Sequence, residues 1–355
     1  MLILVAVSVG LFFAMNIGAS GAAASMGISY GAGVIKNHKI ALLLCGIAVF
    51  LGAWLGGGEV VKTIGSGIVP KHTFTTAIAL IVLASAALSL FLANYFGIPL
   101  STSEVTVGSV IGAGIVYQSV YAAKLIWIFM FWLLTPIAAF FIAIAVSALI
   151  NLKVVQSLMK APKAARILGV LVIFMGLFEA FSAGMNNVAN AVGPLVGAGL
   201  ISTHNGILWG GLFVSLGAFF LGRKVLETNG KKITDLKLEE GCIISGTGAG
   251  IVTAASIFGI PVPLTQITTS SIIGLGFAKY GKEVLKKDIV IKLLAVWIVS
   301  PVLSMVLSFT LIQLIVEKNV YPIIVIIGVL ISVFGIKFLM RKPAEPGTVL
   351  LSKEH

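Results

Sequence analysis

Hydrophobic runs of about 20 residues recur from one end of this 355-residue chain to the other. Hydrophobic residues make up 59% of the chain and charged residues only 10%, and the mean hydropathy is +1.12. A run of this length crosses the hydrocarbon core of a bilayer as a helix, and soluble domains carry far more polar residues. The sequence therefore predicts an all-α polytopic membrane protein whose environment is the lipid bilayer of the cell membrane.

Two of the predicted membrane segments have an unusual length. The apolar spans are 1–35, 40–57, 73–95, 96–118, 124–150, 166–202, 206–222, 241–258, 259–278, 292–316 and 320–339. The spans 1–35 and 166–202 are too long for one straight crossing and too short for two helices with a loop. A membrane crossing that is broken into two half-helices explains the length of each of these two spans. Residues 1–15 have no basic segment before them, so we interpret them as the first membrane segment rather than a signal peptide.

The second long span contains a cluster of asparagines in AGMNNVANAVGPLVGAG, residues 183–199. Hydrocarbon offers no water to carboxamides, so such a cluster must line a cavity or pack against protein. One asparagine would be explained by hydrogen bonding between helices. Asn186, Asn187 and Asn190 together favour a substrate or ion site with a broken helix. In a weaker copy at residues 14–27, Asn16 corresponds to Asn186 and Ser20 to Asn190.

The polar interruptions repeat along the chain, which indicates an internal duplication. FGIPLSTSEVTVGSVIGAG at 96–114 matches FGIPVPLTQITTSSIIGLG at 258–276 at 9 of 19 positions, without gaps. GAGVIKNH at 31–38 matches GAGLISTH at 197–204 at 5 of 8 positions. The predicted division is a first repeat 1–150, a cytoplasmic linker 151–165, a second repeat 166–316, an extra helix 320–339 and a cytoplasmic tail 340–355.

The distribution of basic residues predicts the orientation. With the N-terminus outside, the segments on the inside carry 20 Lys and Arg residues and those on the outside carry 4. This bias follows the positive-inside rule, and it accounts for the net charge of +12 without any nucleic-acid partner. Five crossings per repeat then give two repeats of opposite orientation, with the C-terminus in the cytoplasm. Inverted repeats with broken helices are typical of secondary transporters.

Hydroxyl residues follow Pro99 and Pro261, where each irregular segment becomes helical again. The N-terminus of a helix presents unpaired N–H groups and the positive end of the helix dipole, so it attracts anions without a basic side chain. Two such ends beside asparagine carboxamides suit a small tetrahedral oxyanion, although ordinary helix capping would also explain the hydroxyls. Two carboxylates, Glu104 and Glu179, lie within apolar spans, where they are protonated, paired or functional.

The motifs resemble those of the inorganic phosphate transporter (PiT) family. AGMNNVANA resembles the family signature GANDVANA, and IPLSTSE and IPVPLTQ resemble its PVSTTH motif; each occurs twice in that family. The resemblance implies a symporter that carries an oxyanion through a site between the two halves. In this chain Asn187 and Ile17 occupy the aspartate positions, and Glu104 and Gln266 occupy the histidine positions.

These departures bear on the substrate. Hydrogen phosphate carries a proton and needs an acceptor, whereas sulfate needs only donors and is repelled by a carboxylate. Loss of both aspartates thus favours the sulfate permease branch of the family. The expected substrate-binding residues are Asn16, Ser20, Ser101, Thr102, Ser103, Asn186, Asn187, Asn190, Thr265, Gln266, Thr268, Thr269 and Ser270. We expect proton coupling through Glu104 and Glu179, with Glu104 favoured. The alternative is a sodium-coupled inorganic phosphate symporter.

Other classes of function fit the sequence less well. A channel would need a continuous polar stripe, and the four histidines fall in loops or the tail, so no catalytic pair is apparent. A structural scaffold would leave the paired polar motifs unexplained. Cys45 and Cys242 lie in apolar spans, so neither a disulfide nor a metal site is expected. No cofactor is expected besides the coupled H⁺, or Na⁺ in the alternative. A homodimer is compatible with the sequence, and residues 223–240 are interpreted as a solvated linker.

Overall fold

The fold is built from α-helices, and the part of the chain that the structure describes contains no β-strand. The computed structural model describes residues 1–95, 100–159, 161, 163–232, 237–286 and 288–324. The helices are α1 (Leu2–Ser20), α2 (Gly27–Gly31), α3 (His38–Gly56), α4 (Gly58–Lys62), α5 (Thr76–Tyr95), α6 (Thr102–Val116), α7 (Ala122–Ile150), α8 (Lys153–Met159), α9 (Ala164–Gly197), α10 (Thr203–Leu221), α11 (Arg223–Lys232), α12 (Leu238–Ile257), α13 (Leu264–Tyr280) and α14 (Asp288–Ile315).

Seven helical segments in the described ranges are long and apolar enough to cross a membrane. They are Leu2–Gly31, His38–Gly56, Ala122–Ile150, Ala164–Gly197, Thr203–Leu221, Leu238–Ile257 and Trp297–Ile315, and Thr76–Leu92 and Thr102–Val116 are shorter apolar helices. Large hydrophobic side chains such as Leu43, Ile47 and Trp54 of α3 are exposed on the outer surface. Such faces are expected to contact lipid, and the prediction of an all-α polytopic membrane protein is confirmed. Of the predicted extra helix 320–339 and tail 340–355, only residues 320–324 are described.

The predicted break at the asparagines of the second long span is wrong. Helix α9 runs without interruption from Ala164 to Gly197, through all three asparagines and Pro194. At 1.5 Å per residue its 34 residues extend about 50 Å, which exceeds the thickness of the hydrocarbon core. A helix of this length can cross the bilayer if it tilts and its ends protrude from the core. In the first long span, α1 ends at Ser20 and a 3₁₀ segment, Ala22–Met26, precedes α2. The break therefore lies within the first motif, after Ser20, and is missing from the second.

The irregular segment between α12 and α13 lies at the predicted Phe258–Pro261 position. Gly259 has a φ of +67°, a backbone conformation that side chains disfavour, and the N–H of Ile260 bonds the Ala255 carbonyl at 2.9 Å. These are the features of a glycine-terminated helix end. After an extended stretch, α13 begins at Leu264. The corresponding residues 96–99 lie outside the described ranges, although α6 begins at Thr102, the position aligned with Leu264.

Four of the main packed helix pairs combine one helix from each predicted repeat, and a fifth, α9 with α12, lies within the second repeat. Helix α1 packs against α10, α3 against α9, α6 against α14 and α7 against α13. Glycines at the first two crossings let the backbones touch, and a Cβ atom added at any of them would overlap a main-chain carbonyl of the other helix: Gly18, Gly52, Gly184 and Gly217. Small residues allow this close approach of membrane helices. The helix bounds are consistent with the predicted duplication, because α6 and α13 begin at the aligned positions Thr102 and Leu264.

Candidate functional site

A cavity of about 360 Å³ lies between elements of the two predicted repeats, where α6 and α13 begin. The first repeat supplies residues of α1, of the break after it and of the start of α6; the second supplies residues of α9, α11, α12 and α13. The lining residues are Ser20, Gly21, Ala24, Ile28, Leu100, Ser101, Thr102, Glu179, Asn187, Val225, Ile244, Leu264, Thr265, Thr268, Thr269 and Ile272. The polar motifs of both repeats thus share one cavity.

Eight of the fifteen predicted site residues line this cavity: Ser20, Ser101, Thr102, Glu179, Asn187, Thr265, Thr268 and Thr269. Ser101, Thr102 and Thr265 are hydroxyl residues at the starts of α6 and α13, and Thr268 and Thr269 lie in the second turn of α13. Ser101 is the N-cap residue of α6, and its side chain makes no capping hydrogen bond. The start of α6, which has no side-chain cap and carries the positive end of the helix dipole, therefore lies at the cavity wall.

Asn190 connects the cavity wall to a buried layer behind it. Its amide nitrogen donates to Thr102 Oγ1 at 3.3 Å, Ser103 Oγ at 3.2 Å and Asn187 Oδ1 at 3.3 Å. Thr102 in turn donates to Asn187 Oδ1 at 3.4 Å. The Oδ1 atom of Asn190 is buried without a hydrogen-bond partner. Asn190 and Ser103 therefore do not line the cavity but orient two side chains that do.

Asn186 has its whole hydrogen-bonding capacity taken up by protein groups. Its amide nitrogen donates to Ser256 Oγ at 2.9 Å and to the carbonyl of Ile260 at 3.0 Å. Its Oδ1 accepts from the N–H of Val262 at 3.1 Å and from Ser103 Oγ at 3.4 Å. A carboxamide offers two donors and two acceptor positions, so nothing is left over for another ligand. Asn186 holds the irregular segment between α12 and α13 against α9.

This segment is also held from the first repeat. The indole nitrogen of Trp132 on α7 donates to the carbonyl of Pro261 at 2.8 Å. The backbone around the proline therefore has polar partners from two neighbouring helices, as a non-helical stretch in a membrane protein requires.

The two membrane carboxylates have different positions. Glu179 lines the cavity, is 5% exposed and accepts a hydrogen bond from Thr268 Oγ1 at 3.2 Å. Glu104 does not line the cavity, is 1% exposed and accepts a hydrogen bond from the side-chain amide of Gln266. Among the described residues that line the cavity, Glu179 is the one ionisable side chain, and none is basic.

Asn16 and Ser270 lie away from the cavity lining. The side chain of Asn16 is exposed and donates to the carbonyl of Phe12 in its own helix at 2.9 Å. Its predicted counterpart Asn186 is fully buried, so the two aligned asparagines occupy different environments. Ser270 is buried on α13 but does not line the cavity. Ser20, which does line it, donates to the carbonyl of Asn16 at 2.9 Å.

Sequence reasoning missed the apolar part of the cavity wall. Ile28, Ile244 and Ile272 line it, and so does Val225 of α11, a helix within the stretch interpreted as a solvated linker. Leu226 beside it is fully buried, so α11 docks onto the membrane helices. The adjacent apolar residues Val225 and Leu226 at the start of this largely polar stretch were the available signal. The cavity thus has a mixed lining of neutral polar groups, one carboxylate and aliphatic side chains.

The chain resembles known transporters over most of its length. Residues 17–308 match the model of the phosphate transporter family. The sulfate permease CysP of Bacillus subtilis is 54% identical over 94% of this chain and 93% of its own length. A putative phosphate permease of Thermococcus kodakarensis, TK2061, is 28% identical over 86% of this chain and 96% of its own length.

A solved structure extends these similarities to the fold. The structure described as the sodium-dependent phosphate transporter superposes with a TM-score of 0.76 and 26% identity, and the match covers 89% of this chain and 100% of that one. The resemblance predicted from the asparagine and proline motifs is confirmed: the chain is a multi-pass membrane transporter that belongs to the phosphate transporter (PiT) family.

Proposed function

We propose that this protein is a proton-coupled sulfate transporter that works by alternating access. The observation that carries the proposal is the cavity between the two halves, with hydroxyl groups, a carboxamide and the start of α6 on its wall and no basic residue among its described lining. The 54% identity to a protein named sulfate permease supports the choice of substrate. A dianion in such a cavity is held by hydrogen bonds to neutral donors and by the helix dipole.

The donor set favours sulfate over hydrogen phosphate. Sulfate accepts hydrogen bonds at all four oxygens, whereas hydrogen phosphate also carries an O–H that needs an acceptor. The position of the family's aspartate is occupied by Asn187, whose amide can donate and whose charge is zero. An aspartate there would accept the phosphate proton and repel sulfate. The substitution therefore shifts the preference toward the ion without a proton.

Two carboxylates, Glu104 and Glu179, are expected to couple transport to protons, and we assign the coupling proton to Glu179. Its position on the cavity wall gives a bound ion and water access to it, whereas Glu104 is enclosed behind the wall. A charged carboxylate beside a dianion is unfavourable in a low-dielectric site, so sulfate binding favours the protonated acid. The Thr268 hydroxyl, at 3.2 Å, stabilises the charged form once sulfate has left. Sulfate and proton would then be carried in the same direction.

Sodium-coupled phosphate transport is the second candidate. It is favoured by the structural similarity to a protein described as a sodium-dependent phosphate transporter, with a TM-score of 0.76. The carboxamide oxygens of Asn187 and Asn190 and the backbone after Ser20 would then provide oxygen ligands for Na⁺.

Uptake into proteoliposomes separates the two candidates. Labelled sulfate should accumulate when the outside is more acidic, with no requirement for Na⁺, and excess phosphate should compete weakly. Glu179→Gln should abolish the response to the pH gradient while retaining sulfate counterflow. Glu59→Gln is the matched control, because Glu59 is an exposed residue paired with Lys62. Na⁺-dependent phosphate uptake that excess sulfate leaves unchanged would overturn the proposal.

A further inference from the structure

Glu104 and Gln266 are equivalent positions of the two aligned segments, and they contact each other. In the gapless alignment of 96–114 with 258–276, both are ninth. Each is also the third residue of its helix, since α6 begins at Thr102 and α13 at Leu264. The side-chain amide of Gln266 donates to the carboxylate of Glu104, and both side chains are buried.

A contact between equivalent positions has a geometric consequence. Two copies of a segment that pack as a symmetric pair are related by an approximate two-fold axis. A residue can reach its own counterpart only close to that axis, because its distance from the counterpart is twice its distance from the axis. The Glu104–Gln266 pair therefore marks the axis that relates α6 to α13.

The helices that carry this pair are held in equivalent ways. Helix α6 packs against α14, and a Cβ added at Gly112 would lie 2.5 Å from the carbonyl oxygen of Met305. Helix α13 packs against α7, and a Cβ added at Gly274 would overlap the carbonyl of Phe140. Gly112 and Gly274 are aligned positions, and Met305 and Phe140 each lie four residues after the proline inside their helix. Each of the two helices is thus part of a closely packed pair, with the close contact at the same aligned position.

Alternating access exchanges the conformations of the two repeats around a site that stays in place. Points on the two-fold axis move least in such an exchange, and a contact on the axis is present in both end states. We propose that the Glu104–Gln266 hydrogen bond is the fixed contact about which the two halves move, and that either position can carry the carboxylate. This inference rests on the proposed transport function, and it makes Glu104 a positioning residue instead of a proton carrier.

The choice of an acid on one side and an amide on the other follows from hydrogen bonding. Two carboxylates on the axis would repel each other, whereas an acid and an amide form a donor–acceptor pair in either order. Two amides can also pair. The helices that pack against α13 and α6 also resemble each other. In each of them the residue before the internal proline carries a hydroxyl group: Thr135 on α7 and Ser300 on α14.

The test combines single replacements with an exchange of the two side chains. Glu104→Ala and Gln266→Ala should each lower the maximum rate of sulfate uptake about tenfold, which corresponds to about 1.4 kcal/mol in the barrier. Equilibrium sulfate binding to the purified protein should change less than about twofold, a factor worth under 0.5 kcal/mol. The exchange variant Glu104→Gln/Gln266→Glu should restore the rate to within about threefold of the wild type. Glu104→Gln alone should stay active and keep the response to the pH gradient that Glu179→Gln loses.

Two outcomes would overturn the inference. An exchange variant that folds but is as slow as the alanine variants would show that the two positions are not interchangeable. If that variant fails to fold, loss of the pH response in Glu104→Gln would overturn it instead, because Glu104 would then carry the proton. Failure of the proposed function is a separate result: the wild type would not take up sulfate, and the same variants would be compared with labelled phosphate.

Discussion

Replacing Asn186 by alanine should cost folding stability and leave the substrate contacts nearly unchanged. The replacement removes two donors and one acceptor group that bind Ser256, Ile260 and Val262 at 2.9, 3.0 and 3.1 Å. The N–H of Val262 and the carbonyl of Ile260 would then be buried without these partners. Each stranded backbone group costs about 1–3 kcal/mol, so the free energy of unfolding should fall by about 2–6 kcal/mol.

Asn190, one helical turn along α9, provides the matched control. Its three hydrogen bonds are longer, at 3.2 to 3.3 Å, and all go to side chains, which can rotate to new partners. Hydrogen bonds between membrane helices average about 0.6 kcal/mol, so Asn190→Ala should destabilise the protein by about 1 kcal/mol. Because Asn190 orients Thr102 and Asn187 on the cavity wall, its loss should weaken sulfate binding instead.

The measurement is thermal unfolding of both variants in detergent, with and without sulfate. We expect a lower midpoint for Asn186→Ala that sulfate still raises, and a nearly normal midpoint for Asn190→Ala that sulfate raises less than in the wild type. If Asn186→Ala unfolds at the wild-type temperature and fails to bind sulfate, Asn186 contacts the substrate and the assignment of its hydrogen bonds to protein groups is incorrect.

Two further replacements test the packing around the cavity. Gly184→Ala should prevent stable assembly, because the added Cβ would overlap the carbonyl of Val49 and force α3 away from α9; Gly250→Ala, with nothing within 4 Å, should fold normally, and expression with gel filtration compares the two. Trp132→Phe should lower the thermal midpoint by less than Asn186→Ala, since it loses a single 2.8 Å bond to the carbonyl of Pro261 at a cost of about 1–3 kcal/mol. An equal or larger loss would show that the indole matters mainly for packing.

The helices could be predicted from the sequence because hydrocarbon imposes a length and a polarity on each crossing. Each of the first ten predicted spans overlaps an observed helix, and the segment after Phe258 is irregular as its Gly and Pro residues indicate. The position of the cavity between the two halves could be predicted from the repetition of the motifs, since equivalent polar interruptions in a symmetric pair tend to meet.

The environment of each asparagine could not be predicted, because it depends on contacts between helices that are distant in sequence. A carboxamide in a membrane helix needs partners, and a broken backbone is one source of them. Asn186 instead finds its partners on the segment between α12 and α13, so α9 stays intact. Asn16 has the carbonyl of Phe12 as its partner and an exposed side chain. An alignment of the two motifs gives no indication that these two asparagines have different environments.

The two predicted repeats therefore contribute different side chains to the cavity from aligned positions. At the start of α6 the first repeat presents Ser101 and Thr102, and the aligned positions in the second repeat are Pro263 and Leu264. The hydroxyl groups of α13 on the cavity wall come from the residues that follow, Thr265, Thr268 and Thr269. Among the described residues that line the cavity, the carboxylate, Glu179, belongs to the second predicted repeat. A transporter that binds one small dianion in one cavity needs a single set of donors and a single coupling group. Only the helices that move need to remain similar in the two repeats. An equivalent pair such as Glu104 and Gln266 can therefore keep its contact, while the side chains around the substrate differ between the repeats.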